Sequence, residues 1–216
     1  MAEVDTKERI RQQAHSLIMQ YGIRSVSMDD IATSLGISKK TIYHFYSDKD
    51  ELVEAFVADM ISRNQMMCVN DQQVAENALH EVFLIKMSIN EILQGMNPSL
   101  LFDLQKYHPG GFVRFHKYRT EFLFNLVRQN LLRGISEELY REDLKVDLVA
   151  RLRVESLLMP FNPEFQAHTS KYTLSEMQQE LIDLFLYSIV NPKGYKVILK
   201  YKHELEKKIQ NNGKIK

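Results

Sequence analysis

Residues 27–49 read S-M-D-D-I-A-T-S-L-G-I-S-K-K-T-I-Y-H-F-Y-S-D-K, and the fold follows from this stretch. Ser27 is placed to cap a short helix over Met28–Leu35, with Asp30 three residues on in an imperfect capping box. Gly36 ends that helix. Ser38 caps a second helix over about Lys39–Tyr46, and Ser47 or Asp48 caps a third that begins near Lys49. Ile31, Leu35 and Ile37 are spaced to meet Ile42 across the glycine turn, so the two short helices pack on each other. That pattern predicts a helix-turn-helix.

Such a motif lays its second helix in the DNA major groove with the N-terminal residues towards the base edges. The residue types suit the task. Lys39 and Lys40 can meet phosphates or guanine, and the Ser38 and Thr41 hydroxyls can serve backbone or bases. Tyr43 and His44 offer rings with polar tips, and the helix N-terminus itself favours a phosphate. Lys49 can anchor a second phosphate from the start of the next helix. Taken singly, Lys39 and Lys40 also read as solvated surface, and Phe45 or Tyr46 as core. Asp29, Asp30 and Asp48 keep the basic patch small, so it becomes adequate mainly when doubled in a dimer.

Outward from this stretch the chain reads as helices throughout. An amphipathic helix over about Asp5–Tyr21 precedes it, with Ile10, Ala14, Leu17, Ile18 and Tyr21 on one face and Gly22 as the stop. The helix from Lys49 is long, to about Cys68, and a polar run at Asn70–Gln73 marks a break. Further helices are expected over Val74–Gln94, Pro98–Tyr107 and Phe112–Arg133, with His108-Pro109-Gly110-Gly111 as a turn and Gly134 as a stop. The eighth and ninth helices cover Asp143–Met159 and Leu174–Val190. A lysine-rich segment, Tyr195–Ile209, closes the chain and frays into Asn211-Asn212-Gly213. No alternating strand pattern appears, so the fold class is all-α.

In the ninth helix Leu174, Met177, Leu181, Leu184 and Phe185 cover one face, while Ile182, Leu186 and Ile189 fall outside it. An apolar arc that wide is buried on two sides, either deep in one subunit or at a self-complementary interface.

Composition bounds the remaining possibilities. The 216 residues carry 28 Lys plus Arg against 28 Asp plus Glu, so net charge argues neither for nor against nucleic acid. At 44% hydrophobic and 26% charged the chain has a globular composition. A single cysteine, Cys68, excludes a disulfide framework and any multi-cysteine zinc site. No signal peptide or spanning segment is legible, which predicts a cytoplasmic protein with no membrane contact. Phosphate-loop, dinucleotide, metalloprotease and nucleophile-elbow motifs are missing, and the seven histidines form no ligand-spaced cluster. Neither enzyme activity, nor a metal, nor a cofactor is expected.

The run V-S-M-D-D-I-A-T-S-L-G-I-S-K-K-T-I-Y-H-F-Y-S-D-K-D-E-L, with the preceding helix ending at Tyr21-Gly22, resembles the DNA-binding domain of the tetracycline-repressor (TetR) family. The likeness covers about the first 60 residues. It implies that Ser38, Lys39, Lys40, Thr41, Tyr43 and His44 lie at DNA-contacting positions of the recognition helix, and Lys49 at the family's lysine opening the fourth helix. Tyr46 stands where relatives usually have phenylalanine, and Lys40 where a glycine or small residue is common. The same resemblance implies an N-terminal domain over residues 1–64 and a helical regulatory domain over 65–216 that holds a small-molecule pocket and a dimer interface.

Pocket candidates are Met87, Phe102, Tyr107, Phe115, Tyr118 and Phe122, each of which also reads as ordinary core. Interface candidates, from the eighth and ninth helices, are Leu152, Met177, Leu181, Leu184 and Phe185. The implied function is a homodimeric, ligand-responsive repressor on a palindromic operator, its effector an unidentified small molecule. The alternatives are a helical small-molecule or protein sensor that has lost operator binding, and an activator without a small-molecule ligand.

Overall fold

The computed structural model describes residues 2–212, with side chains described for 5–204. The N-terminal part holds α1 (Ala2–Tyr21), α2 (Met28–Leu35), α3 (Lys39–Phe45) and α4 (Lys49–Val74). Then come α5 (Ala78–Leu93), α6 (Leu100–Tyr107), α7 (Pro109–Lys117), a π-helical stretch (Tyr118–Leu123) and α8 (Phe124–Ser136). The remaining helices are α9 (Val146–Ser156), a 3-10 turn (Met159–Phe161), α10 (Pro163–His168), α11 (Leu174–Ile189) and α12 (Pro192–Asn212). No strand occurs among the described residues beyond a single bridge between Tyr140 and Val190.

Two hydrophobic cores organise these helices. In the first, Ile10, Ala14 and Ile18 of α1 meet Ile31 of α2, Ile42 of α3 and the Leu52, Val53, Phe56, Val57 face of α4. Leu100 and Leu104 of α6 complete it, so the N-terminal core recruits a helix from far along the chain. In the second, Leu79 and Phe83 of α5, Leu131 of α8, Ala150 of α9, and Ile182, Leu186 and Ile189 of α11 surround the fully buried Tyr140. Ile198 packs α12 onto the same core, and the Tyr201 hydroxyl accepts from the Asn77 amide at 2.8 Å. The predicted frayed end at Gly213 lies outside the described residues.

Several helix limits differ from the sequence expectation, each for a packing reason. The polar run Asn70–Gln73 does not break α4, which continues to Val74. Asp71 and Cys68 turn inward and Asn70 and Gln73 outward, an amphipathic last turn built from polar residues. The next helix begins four residues later than expected, where the Asn77 side chain caps it by accepting from the His80 amide at 2.9 Å. Pro109 opens a helix instead of a turn, since its missing N–H costs nothing at the first helical position.

Gly111 then brings α7 against α6 and α4: a Cβ there would stand 2.9 Å from Leu104 Cδ1 and 3.4 Å from Val57 Cγ2. Gly134 lies inside α8, not at its end, because the Tyr140 ring occupies the space a Cβ would need, at 2.1 Å. Pro192 likewise opens α12.

The long helix expected over Phe112–Arg133 is a continuous rod from Pro109 to Ser136, with the π-helical turn inserted at Tyr118–Leu123. There Tyr118 and Arg119, successive residues, are both buried. On α11 the core side is Leu174, Gln178, Ile182, Leu186 and Ile189, so Leu174 of the expected stripe is joined in the monomer core by Ile182, Leu186 and Ile189 from outside it.

Candidate nucleic-acid interface and central cavity

The α2–α3 unit is locked by its caps. Ser27 N donates to Asp30 Oδ2 at 2.8 Å and Asp30 N donates back to Ser27 Oγ at 3.2 Å, both halves of the capping box. Gly36 adopts φ +65°, the left-handed turn that swings the chain towards α3. Ser38 Oγ accepts from Thr41 N at 3.1 Å and sits 2.9 Å from Thr41 Oγ1, so these two hydroxyls serve the cap first. Ile42 and Tyr46 point into the core, which leaves Ser38, Lys39, Lys40, Tyr43 and His44 on the outer face and Thr41 half-buried.

Charge on this face is modest. Lys39 Nζ pairs with Asp29 Oδ2 at 2.7 Å, and the neighbouring carboxylate raises the lysine pKa. Lys40 has no such pair among the described residues. Lys49 is half-buried at the start of α4. Burial pulls its pKa down, while the Asp103, Asp30 and Asp50 charges act in the opposite sense.

Beneath this unit lies a cavity of about 780 Å³. His15 and Met19 of α1 and Met60, Asn64, Met67 and Cys68 of α4 form one side. Val82, Ile85 and Ile89 of α5, Tyr118 and Arg119 of the π stretch, Leu126 and Asn130 of α8, Arg153 of α9 and Gln178 and Phe185 of α11 form much of the rest. The wall is mainly apolar, the usual lining of a small-molecule site.

Its polar groups are only partly satisfied, with Glu81 Oε1, Arg119 Nε and Gln178 Oε1 left without partners. The Tyr118 hydroxyl donates to Asn64 Oδ1, and Cys68 Sγ lies 3.6 Å from the same oxygen. Desolvation pushes the Cys68 thiol up to about 12. Arg119 pairs with Glu155, and the fully buried Glu81 accepts from Arg133 Nη1 at 3.3 Å. Burial raises the Glu81 pKa, with Asn130 and Arg133 opposing. Gln178 Nε2 donates to the Leu157 carbonyl at 2.7 Å, whereas its Oε1 has no partner. Burial and the Arg63 and Arg11 charges hold His15 below the ordinary imidazole range.

Three comparisons complete the picture. Residues 10–56 match the model of bacterial regulatory proteins of the tetR family, a span that holds most of the first core. The matched segment is thus a tetR-type DNA-binding domain. It is 28% identical over 187 residues, 84% of its own length and 94% of the relative's, to an uncharacterised helix-turn-helix transcriptional regulator, YvaF, of Bacillus subtilis (strain 168). A TetR-family regulator from Agrobacterium tumefaciens superposes with TM-score 0.71 at 17% identity, over 88% of this chain and all of that one. SmeT in complex with triclosan gives TM-score 0.65 at 14% identity, over 87% and 93% of the two chains. At these identities the structures share the fold alone. The protein is thus a DNA-binding transcriptional regulator. No helix among the described residues is long and apolar enough to cross a membrane.

The predicted pocket residues separate. Phe115 and Tyr118 line the cavity. Phe122 stacks on Tyr118 at 5.5 Å but faces a shallow outer groove beside Met66 and Val69. Met87, Phe102 and Tyr107 are 40–50% exposed on the outside, and are corrected as cavity residues, since their helices turn other faces inward. Of the predicted interface residues, Leu152 and Leu184 are exposed at 60% and 59%, and Met177 and Leu181 are half-buried. Phe185 faces the cavity under Arg153.

Arg153 escaped the sequence reading although a signal exists. Ala150, Arg153, Val154 and Leu157 form an i, i+3, i+4, i+7 stripe, which puts an arginine in the middle of an apolar face.

Proposed function

We propose that this regulator is a homodimeric, ligand-responsive repressor whose α3 helices read the two halves of a palindromic operator. In this reading Lys40, Tyr43 and His44 meet DNA, with Ser38, Lys39, Thr41 and Lys49 placed for phosphate contact. The outward apolar stripes, Leu148 and Leu152 on α9 and Leu184 and Tyr187 on α11, support a two-fold interface, because exposed leucines repeated on one helix face favour a partner. A division near residue 64 falls in the middle of α4, which would make that helix the link between a DNA-binding and a regulatory domain. Such a protein acts in the cytoplasm, where its operator lies.

The observation that carries the reading is the composition of the cavity wall. His15 and Met19 of α1, and Met60 to Cys68 of α4, belong to the same helices that build the DNA-binding core. A ligand there touches the DNA-binding unit directly. A molecule that prefers one α4 position shifts the spacing of the α3 pair away from the one-turn separation of operator half-sites.

The test is selection of bound fragments from the source genome, followed by titration of the best site at two salt concentrations. The reading expects a palindromic site with a steep salt slope. Binding no tighter to that site than to random duplex would refute it.

A further inference from the structure

We propose that the cavity takes an amphipathic organic monoanion, its carboxylate held by Arg153 and its hydrocarbon portion lying along Met19, Met60, Ile85 and Leu126. This rests on the reading of the cavity as the effector site. The anion specificity comes from Arg153.

A guanidinium taken out of water is costly unless an opposite charge and hydrogen bonds replace its hydration. The other buried charges of the wall each have an opposite charge, Arg119 with Glu155 and Glu81 with Arg133, although Arg119 Nε and Glu81 Oε1 lack hydrogen-bond partners, and the more exposed Arg63 has Asp59. Arg153 is only 8% exposed and no carboxylate pairs with it among the described residues. Of its five N–H donors, one bond is made, from Nη1 to Ser156 Oγ at 3.2 Å. The Phe185 ring centroid stands 5.5 Å from its central carbon, supporting the group from one side without neutralising it. A positive fork is therefore presented to an apolar chamber with most of its donors unused.

The wall also limits the kind of anion. A carboxylate matches the planar fork with two parallel N–H···O bonds. A dianionic phosphate ester would bring a second negative charge into a cavity that already contains Glu81, with no second unpaired cation on the wall. A cationic head would meet Arg153 itself. A singly charged head on a greasy body is what remains.

The experiment uses the full chain and head-group-matched probes: dodecanoate, dodecanol and dodecylamine, with naphthoate and naphthol as ring-shaped counterparts. Binding is measured by calorimetry and by thermal shift, on the wild type, Arg153→Gln and Arg153→Lys. The expected ranking is acid above alcohol above amine, with the acid ~10-fold or more tighter than the alcohol, as a charge-assisted hydrogen-bonded pair warrants. Arg153→Gln should abolish that preference and leave the alcohols unchanged, and Arg153→Lys should keep part of it. Equal affinity for acid and alcohol in the wild type overturns the anion assignment and leaves the effector cavity standing. An unchanged acid affinity in a folded Arg153→Gln does the same. Should that variant not fold, the wild-type ranking alone decides. If no probe of any head group binds, the effector reading of the cavity falls, and the anion with it.

Discussion

His108 Nδ1 lies 2.6 Å from Asp50 Oδ1, tying the corner between α6 and α7 to the first turn of α4. The imidazole is buried and the carboxylate exposed, so the bond is anchored from the α6–α7 corner. With the Asn97 N–H donating to the Met19 carbonyl at 2.7 Å and the Arg24 N–H to Asp103 Oδ2 at 3.2 Å, it fixes α6 and its flanking turns against α1 and α4.

Removing this contact should loosen the joint without unfolding either core. In His108→Ala, amides in the first turn of α4 should exchange about fivefold faster, as the loss of a hydrogen bond worth about 1 kcal/mol requires. Operator affinity of the unliganded protein should change by less than about threefold. Hydrogen exchange read by mass spectrometry on residues 49–56 reports the first quantity. Unaltered protection there would mean that the contact carries no load.

On the DNA side, Lys40→Ala should reduce the slope of log affinity against log salt by about 1 per monomer and weaken binding to all sequences alike. Tyr43→Ala, which removes a ring 44% exposed on the outer face, should weaken operator binding while the melting temperature stays within a few degrees. Asp29→Asn should act in reverse: released from its 2.7 Å pair, Lys39 becomes available to phosphate and non-specific binding tightens at low salt. Fluorescence anisotropy at several salt concentrations tests all three.

Placing a charge on the outward stripes tests the interface. Leu184→Glu and Leu152→Glu alter side chains that are more than half exposed in the single chain, so the monomer core is spared. Sedimentation should show monomers, with operator affinity lost alongside. Dimers persisting in both variants would place the two-fold axis elsewhere.

The Gly134→Ala substitution should cost about 3 kcal/mol or more, the upper end of overpacking penalties, because a Cβ would stand 2.1 Å from the fully buried Tyr140 ring. That ring is also held by its hydroxyl, which donates to Asn130 Oδ1 at 3.0 Å, so it cannot move aside freely. Urea denaturation gives the value. A loss under about 1 kcal/mol would mean that the loop after α8 yields easily.

Alkaline pH should destabilise the fold from about 9 upward. Cys68 has a folded-state pKa raised from 9.0 to about 12 by burial, so the neutral thiol is favoured in the native state. The stability it confers is whole below pH 9.0 and is lost as pH rises towards 12, where the unfolded chain releases the proton first. Buried Tyr118 and Tyr140, also raised by desolvation, add to the loss from about pH 10. Consistent with this, native Cys68 should resist alkylation at pH 8 and react once the chain is unfolded. Rapid labelling of the folded protein would contradict it.

The helix-turn-helix was legible residue by residue, because each of its boundaries is decided by chemistry within four positions. Ser27 and Asp30 close a cap on their own neighbours, Gly36 takes φ +65° without a Cβ to object, and Ser38 caps the next helix. The two-sided apolar character of residues 174–190 was equally local, though which side meets the core was not: Ile182 and Leu186 turned inward and Leu184 outward.

Tertiary packing alone decided the rest. Pro109-Gly110-Gly111 carries every mark of a turn, yet opens a helix because α4 and α6 lie close enough to exclude side chains there. Asn70–Gln73 looks like a linker, yet stays helical because Asp71 and Cys68 find a buried face. Arg153 is an ordinary surface residue in composition, and becomes a buried, unpaired charge when α11 sets Phe185 and Gln178 beside the cavity it lines. Caps and turns are short-range interactions and can be read along the chain. Cavity walls, close helix approaches and the burial of a charge depend on which distant segments share the same space, and that is settled only when the two cores close.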